Sequence, residues 1–189
     1  ALYQIELLRE FKAPTIIFMD EPYMAAFGTT GMNVGREDVI RSLNMVVERI
    51  EGGGGIAGVH CCGNTDWSLL FETAVSIVNF DAYDFMDKMA LYPEQISTFL
   101  ERGGNLAWGI VPTSEAVRSE SAETLTERFE RGLEKLVSLG VDRRRLLSQC
   151  LITPACGLGS LSEEDARRAL SLVRELSTHL RQQYHGQEG

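Results

Sequence analysis

Short apolar runs rich in β-branched residues alternate along this chain with longer segments in which apolar residues recur every three to four positions. Five runs, Pro14–Met19, Ile56–His60, Val75–Phe80, Asn105–Val111 and Leu147–Ile152, each end in a polar or Gly/Pro cluster and read as buried strands. Between them the helical period takes over. From Arg36 to Glu51, the residues Val39, Ile40, Leu43, Val46, Val47 and Ile50 share one face. The glycines Gly52–Gly55 either stop that helix by supplying left-handed backbone or form a flexible loop, and the helix stop is the preferred reading. Pro93 opens a helix carrying Ile96, Phe99 and Leu100, and a longer one near Glu120–Leu139 carries Leu125, Phe129, Leu133 and Leu136. Ser162 caps the last helix, with Asp165 placed as in a capping box. Its buried stripe is expected at Ala166, Ala169, Leu170, Val173 and Leu180, ending near Arg181, with fraying from Gln182. Leu2–Phe11 reads as an opening helix.

Strand and helix in strict alternation predict an α/β fold with a parallel sheet, because parallel strands need crossover connections that cover the sheet. A TIM-type (β/α)8 barrel needs eight such units and about 250 residues. This chain of 189 residues offers five. The expectation is therefore a single βα-barrel-type domain over residues 1–189, a partial barrel forming the later part of a longer one.

Composition adds limits. The formal charge of -9, from 27 acidic and 18 basic residues, repels polyanions and argues against a nucleic-acid partner. No apolar run of about 18 residues and no charged leader followed by an apolar stretch occur, so no membrane span or secretory signal is expected and the cytoplasm is the expected compartment. The 4 cysteines lack a regular disulfide spacing and two are adjacent, which suits thiols that bind metal or pack in a core.

The chemistry gathers at strand ends, where parallel α/β folds build their sites. Those ends read Asp20-Glu21-Pro22, His60-Cys61-Cys62-Gly63-Asn64, Asp81, Pro112-Thr113-Ser114-Glu115 and Thr153-Pro154-Ala155-Cys156-Gly157. Strand alternation puts His60 and Cys62 on one side and Cys61 on the other, so the H-x-C triplet offers two ligands to one ion. Cys156 brings a third from a distant point of the chain. Imidazole with two thiolates is a zinc donor set, and three ligands leave one position open. Asp81, ending the strand next to that of His60, is a candidate fourth ligand. A lone cysteine is most often a buried apolar group, and Cys150 is read so. His179 and His185, on or after the last helix, are read as solvated. Asp20 and Glu21, stiffened by Pro22, either cap a loop or bind a substrate amine or relay a proton. Asn64, Asp66 and Trp67 read as cap and anchor of the next helix, and Thr113, Ser114 and Glu115 are similar.

The segments FMDEP (Phe18–Pro22), VHCCGN (Val59–Asn64), VNFD (Val78–Asp81) and ITPACGLG (Ile152–Gly159), in that order, resemble the catalytic barrel of cobalamin-independent methionine synthase. The wider superfamily, with uroporphyrinogen decarboxylase and the zinc methyltransferases acting on corrinoid proteins, is similar in the strand-end H-x-C and late cysteine. The resemblance spans nearly the whole chain and corresponds to the barrel from the helix before its fourth strand onward. It implies zinc on His60, Cys62 and Cys156, with Asp81 where the synthases carry a glutamate ligand, one methylene longer. It places Asp20 at the aspartate of the DEP motif, which engages the substrate amino acid. The family's glycine-lysine-threonine signature after the late cysteine is reduced here to Gly157-Leu158-Gly159-Ser160, without the lysine.

The activity so implied is methyl transfer to a thiol. Homocysteine and a methylated folate are the leading substrates, Asp20 is catalytic, and Asp20 with Glu21 binds substrate. No cobalamin is required. The partners expected are the thiol and the methyl donor, together with a second copy or the missing barrel half. The alternatives are a corrinoid-protein-dependent methyltransferase, a decarboxylase-like protein, and a non-catalytic zinc-binding barrel remnant.

Overall fold

The computed structural model describes residues 1–21 and 35–185. Five strands, β1 (Ile16–Asp20), β2 (Ile56–Cys61), β3 (Ile77–Asp81), β4 (Asn105–Val111) and β5 (Cys150–Pro154), form one sheet in the order β1-β2-β3-β4-β5. Every neighbouring pair is parallel. The expected α/β class is what the chain adopts. Parallel strands in sequential order without a reversal favour crossovers of one hand, which carry the connecting helices to the same face. This order is compatible with part of a βα barrel.

Helices α1 (Leu2–Leu8), α2 (Arg36–Gly52), α3 (Trp67–Glu72), α4 (Met86–Met89), α5 (Pro93–Glu101), α6 (Ala122–Ser138), α7 (Arg143–Ser148) and α8 (Glu163–His185) complete the fold. The core lies between helices and sheet, where Val59, Val78, Phe80, Trp108 and Ile110 are buried. An aromatic ladder crosses it from α3 to α6, with ring centroids 6.1 Å apart for Trp67–Phe80, 5.6 Å for Phe80–Trp108 and 4.8 Å for Trp108–Phe129. The opposite, inner face carries Phe18, whose ring lies over Gly58. Beside it Ile16 and Phe18 are 39% and 37% exposed, and Leu2, Tyr3, Leu7 and Phe11 of the opening helical segment are exposed too.

Several boundaries differ from the sequence reading. β5 begins at Cys150 because Asp142 caps α7, accepting the Arg145 N–H at 2.7 Å, and draws Leu147 into that helix. Along α2 the outer residue is Val46, 42% exposed, while Leu43, Val47 and Ile50 are buried. On α8 the buried stripe is Ala169, Leu172, Leu176 and Leu180, and Leu170 is 56% exposed. The cause is Asp165, which turns inward to a bidentate grip by Arg118 (2.9 and 2.7 Å) and so sets the helix face. Leu170 then lies about 140° away at about 100° per residue. The expected fraying from Gln182 does not occur up to His185. Gln183 Nε2 donates to Glu130 at 2.5 Å and the Tyr184 hydroxyl to the same oxygen at 3.2 Å, which ties the last turn to α6. Among the described residues, no helix is long and apolar enough to cross a membrane.

Candidate metal centre

β2 delivers two of the candidate ligands. Its alternation sends Val59 and Cys61 into the helix layer, where both are buried, and turns His60 to the inner face. Cys62, the first residue past the strand, is exposed, and its Sγ lies 2.9 Å from His60 Nε2. Cys61 points away as alternation requires, and its thiol donates to the Gly63 carbonyl at 3.6 Å. Burial pushes that thiol up, which keeps it protonated.

Cys156 lies two residues beyond the end of β5, three strands from β2, and in a flat sheet the two strand ends would stand about 14 Å apart. The chain closes that gap by crossing back over β4. The Ala155 N–H donates to the Val111 carbonyl at 2.8 Å, and the β4–β5 register shifts between Gly109 and Val111. The crossing needs a glycine beneath it, since a Cβ on Gly109 would lie 2.8 Å from the Ala155 Cα and 2.7 Å from the Phe80 carbonyl oxygen. As a result, the ligand atoms of His60, Cys62 and Cys156 all lie within 4.8 Å of one another. Tetrahedral zinc ligands stand about 3.5–3.8 Å apart, so this triangle can close on one ion with only small side-chain shifts. Burial pushes the Cys156 thiol up to about 12, reinforced by its hydrogen bond with Cys62 and by the negative charges of Cys62, Asp81 and Asp20.

The remaining predicted residues surround this triangle. Asp81 ends β3, is 7% exposed, and uses its Oδ1 to accept the Asp84 N–H at 2.9 Å. Burial raises its carboxyl, opposed by that bond, and it stands outside the set of three converging ligands. Asp20 pairs in register with His60 and lines a cavity of ≈ 240 Å³ with Phe18, His60, Asn79, Thr153, Pro154, Cys156 and Gly157. The Glu21 N–H continues the pairing by donating to the His60 carbonyl at 3.0 Å. Burial, and then the charge of Asp20, hold the Glu21 carboxyl above its ordinary range. Pro22, taken to stiffen this pair, lies outside the described residues.

Elsewhere the plainer readings hold for Asp66, Trp67 and His179. Asp66 caps α3 by accepting the Ser68 N–H at 3.1 Å and binds Arg36 at 2.8 Å, while Trp67 is fully buried. Cys150 is partly buried against the core, and the loss of solvation pushes its thiol up to about 12. His179 is exposed on α8 and His185 closes that helix. Glu115 is solvated.

Sequence reasoning missed Asn79 and Thr153. The His60 Nδ1 lies 2.5 Å from Asn79 Oδ1, and Asn79 Nδ2 lies 2.9 Å from Thr153 Oγ1 and 2.8 Å from the Ala107 carbonyl oxygen. The available signal was an amide inside an otherwise apolar strand, where asparagine is disfavoured. No protein-family model matches the chain, and no curated protein sequence matches it.

Proposed function

We propose that this protein is a zinc-dependent methyltransferase that moves a methyl group onto the sulfur of a small thiol, with homocysteine as acceptor and a methylated folate as donor. The observation that carries the reading is the convergence of His60, Cys62 and Cys156 at strand carboxyl ends, with His60 and Cys156 on the wall of an open cavity that Asp20 also lines. One imidazole and two thiolates favour zinc over the harder magnesium or calcium, and three protein ligands are the pattern of a site that keeps a position for substrate. When bound there, zinc supplies the positive charge that converts a thiol of pKa about 8.5 to its nucleophilic thiolate at neutral pH.

The chain's own residues would do the rest. Two thiolates and a neutral His60 offset the charge of a divalent ion, leaving electron density on the substrate sulfur. That sulfur forms the new bond to the methyl carbon while the bond from donor nitrogen to methyl breaks. Its electron pair remains on the nitrogen, which takes up a proton. Asp20, facing the cavity, is suited to hold the ammonium group of an amino-acid thiol.

The same surroundings disfavour a polycarboxylate substrate of the decarboxylase kind. Asp20, Glu21, Asp81, Asp84 and Glu115 lie at or just past the strand ends, and Arg118, near them, is taken up by Asp165. The βα-barrel assignment also belongs to this reading. The open β1 edge and the exposed apolar residues beside it are then covered, in the working molecule, by further strand–helix units or a second copy.

The test is methyl transfer by the zinc-loaded protein from labelled methylfolate to homocysteine. Labelled methionine is expected, abolished by Cys156→Ser and slowed about 10²-fold by Asp20→Asn. Transfer only from a methylated corrinoid protein would move the reading to that class. Transfer from neither donor would remove it.

A further inference from the structure

Asn79 occupies the middle of β3, flanked by buried Ile77, Val78 and Phe80, and is itself only 7% exposed. Its neighbours fix which way its amide faces. A backbone carbonyl can only accept, so the amide corner 2.8 Å from the Ala107 oxygen is the nitrogen. The other N–H of that group reaches Thr153 Oγ1 at 2.9 Å. The amide oxygen therefore faces His60, 2.5 Å from Nδ1. An amide oxygen also only accepts, so Nδ1 must carry the proton. Nε2 is left with a free lone pair, directed at the Cys62 Sγ 2.9 Å away.

Reach across the sheet depends on what stands between. β4 separates Asn79 from Thr153, and the residues that pair with them in register are Ala107 and Gly109. Nothing larger than a methyl group intervenes. Thr153 precedes Cys156 by three residues on the same segment. The stretch of chain that brings in the third ligand thus also anchors the amide that orients the first.

We infer that Asn79 and Thr153 are positioning residues that lock His60 in the Nδ1–H tautomer, the form that presents Nε2 to an ion shared with Cys62 and Cys156. The consequence for metal binding rests on the zinc reading above, but the tautomer itself does not. Outer partners of metal-bound histidines fix ring orientation and are typically worth about 10–100-fold in metal affinity.

Nitrogen NMR of the metal-free protein, with the His60 ring signals assigned by their loss in His60→Gln, tests this under conditions where the ring is neutral. Wild type is expected to show the Nδ1–H tautomer. Asn79→Ala should shift the ring toward Nε2–H and weaken zinc binding about 10–100-fold. Asn79→Asp, which keeps an acceptor against Nδ1, should restore the tautomer. Thr153→Val should give a smaller shift in the same direction, which Thr153→Ser reverses. An Nε2–H ring in wild type, or an unchanged ring in both Asn79→Ala and Thr153→Val, would overturn the inference. Nδ1–H in a wild type that takes up no zinc would leave the relay standing and remove the metal reading.

Discussion

Gly109 lies directly beneath Ala155, close enough that a Cβ on the glycine would stand 2.8 Å from the Ala155 Cα. The obstacle is backbone on both sides, because the Phe80 carbonyl oxygen would be 2.7 Å away, so no side-chain rotation relieves it. Displacing Ala155 displaces Cys156. Gly109→Ala is expected to lower stability by about 1–3 kcal/mol and, more tellingly, to weaken zinc binding at least about tenfold. Gly157→Ala, with open space around its Cβ, should change neither. Chelator competition and thermal denaturation of the two variants check this. Equal zinc affinity in both would mean that the crossing over β4 does not deliver the third ligand.

The Cys156 thiol, pushed up to about 12 chiefly by burial, must lose its proton to become a ligand. In the neutral range that proton is displaced by the ion itself. Raising the pH removes the competing proton, so apparent zinc affinity should increase with pH, with about tenfold per pH unit contributed by Cys156. Competition titrations across the neutral range should show at least this slope, and Cys156→Ser should lower it. A profile flat with pH would contradict the assignment.

Asp165 gives a prediction about stability alone. Its bonds to Arg118, and then to Ser162, hold its carboxyl down at about 2 against an ordinary 3.8. A folded value below the unfolded one means stability that is fully present above about pH 4 and lost as pH falls through about 2. Arg118→Met should therefore melt below wild type by a constant margin near neutrality, with the two converging between about pH 4 and pH 2. A margin independent of pH would show that Arg118 acts only by packing.

The fold was readable where one signal dominates. Asn105–Val111 is an apolar run stopped by Pro112, and β4 has those bounds. Leu147 was misassigned because apolar residues of a short amphipathic helix and of the following strand merge into one run, and only the Asp142 cap separates them. Leu170 was misplaced because the face of α8 is set by an ion pair to Arg118, 47 residues away in sequence. At the site, His60, Cys62 and Cys156 stood out as ligand types at strand ends. Asp81 shared that position, yet its Oδ1 serves the turn that follows, a local bond that strand alternation does not reveal. Asn79, Thr153 and Gly109 matter only through strand register and the crossing of the chain, which no single segment encodes.

The central claim is that one zinc ion binds to His60, Cys62 and Cys156. Elemental analysis of protein purified without chelators, alongside Cys62→Ser, Cys156→Ser and Asp81→Asn, tests it directly. The account predicts about one zinc per chain in wild type, its loss in both cysteine variants, and its retention in Asp81→Asn, whose amide oxygen can still accept the Asp84 N–H. Wild-type protein without zinc, into which added zinc cannot be loaded, would contradict it.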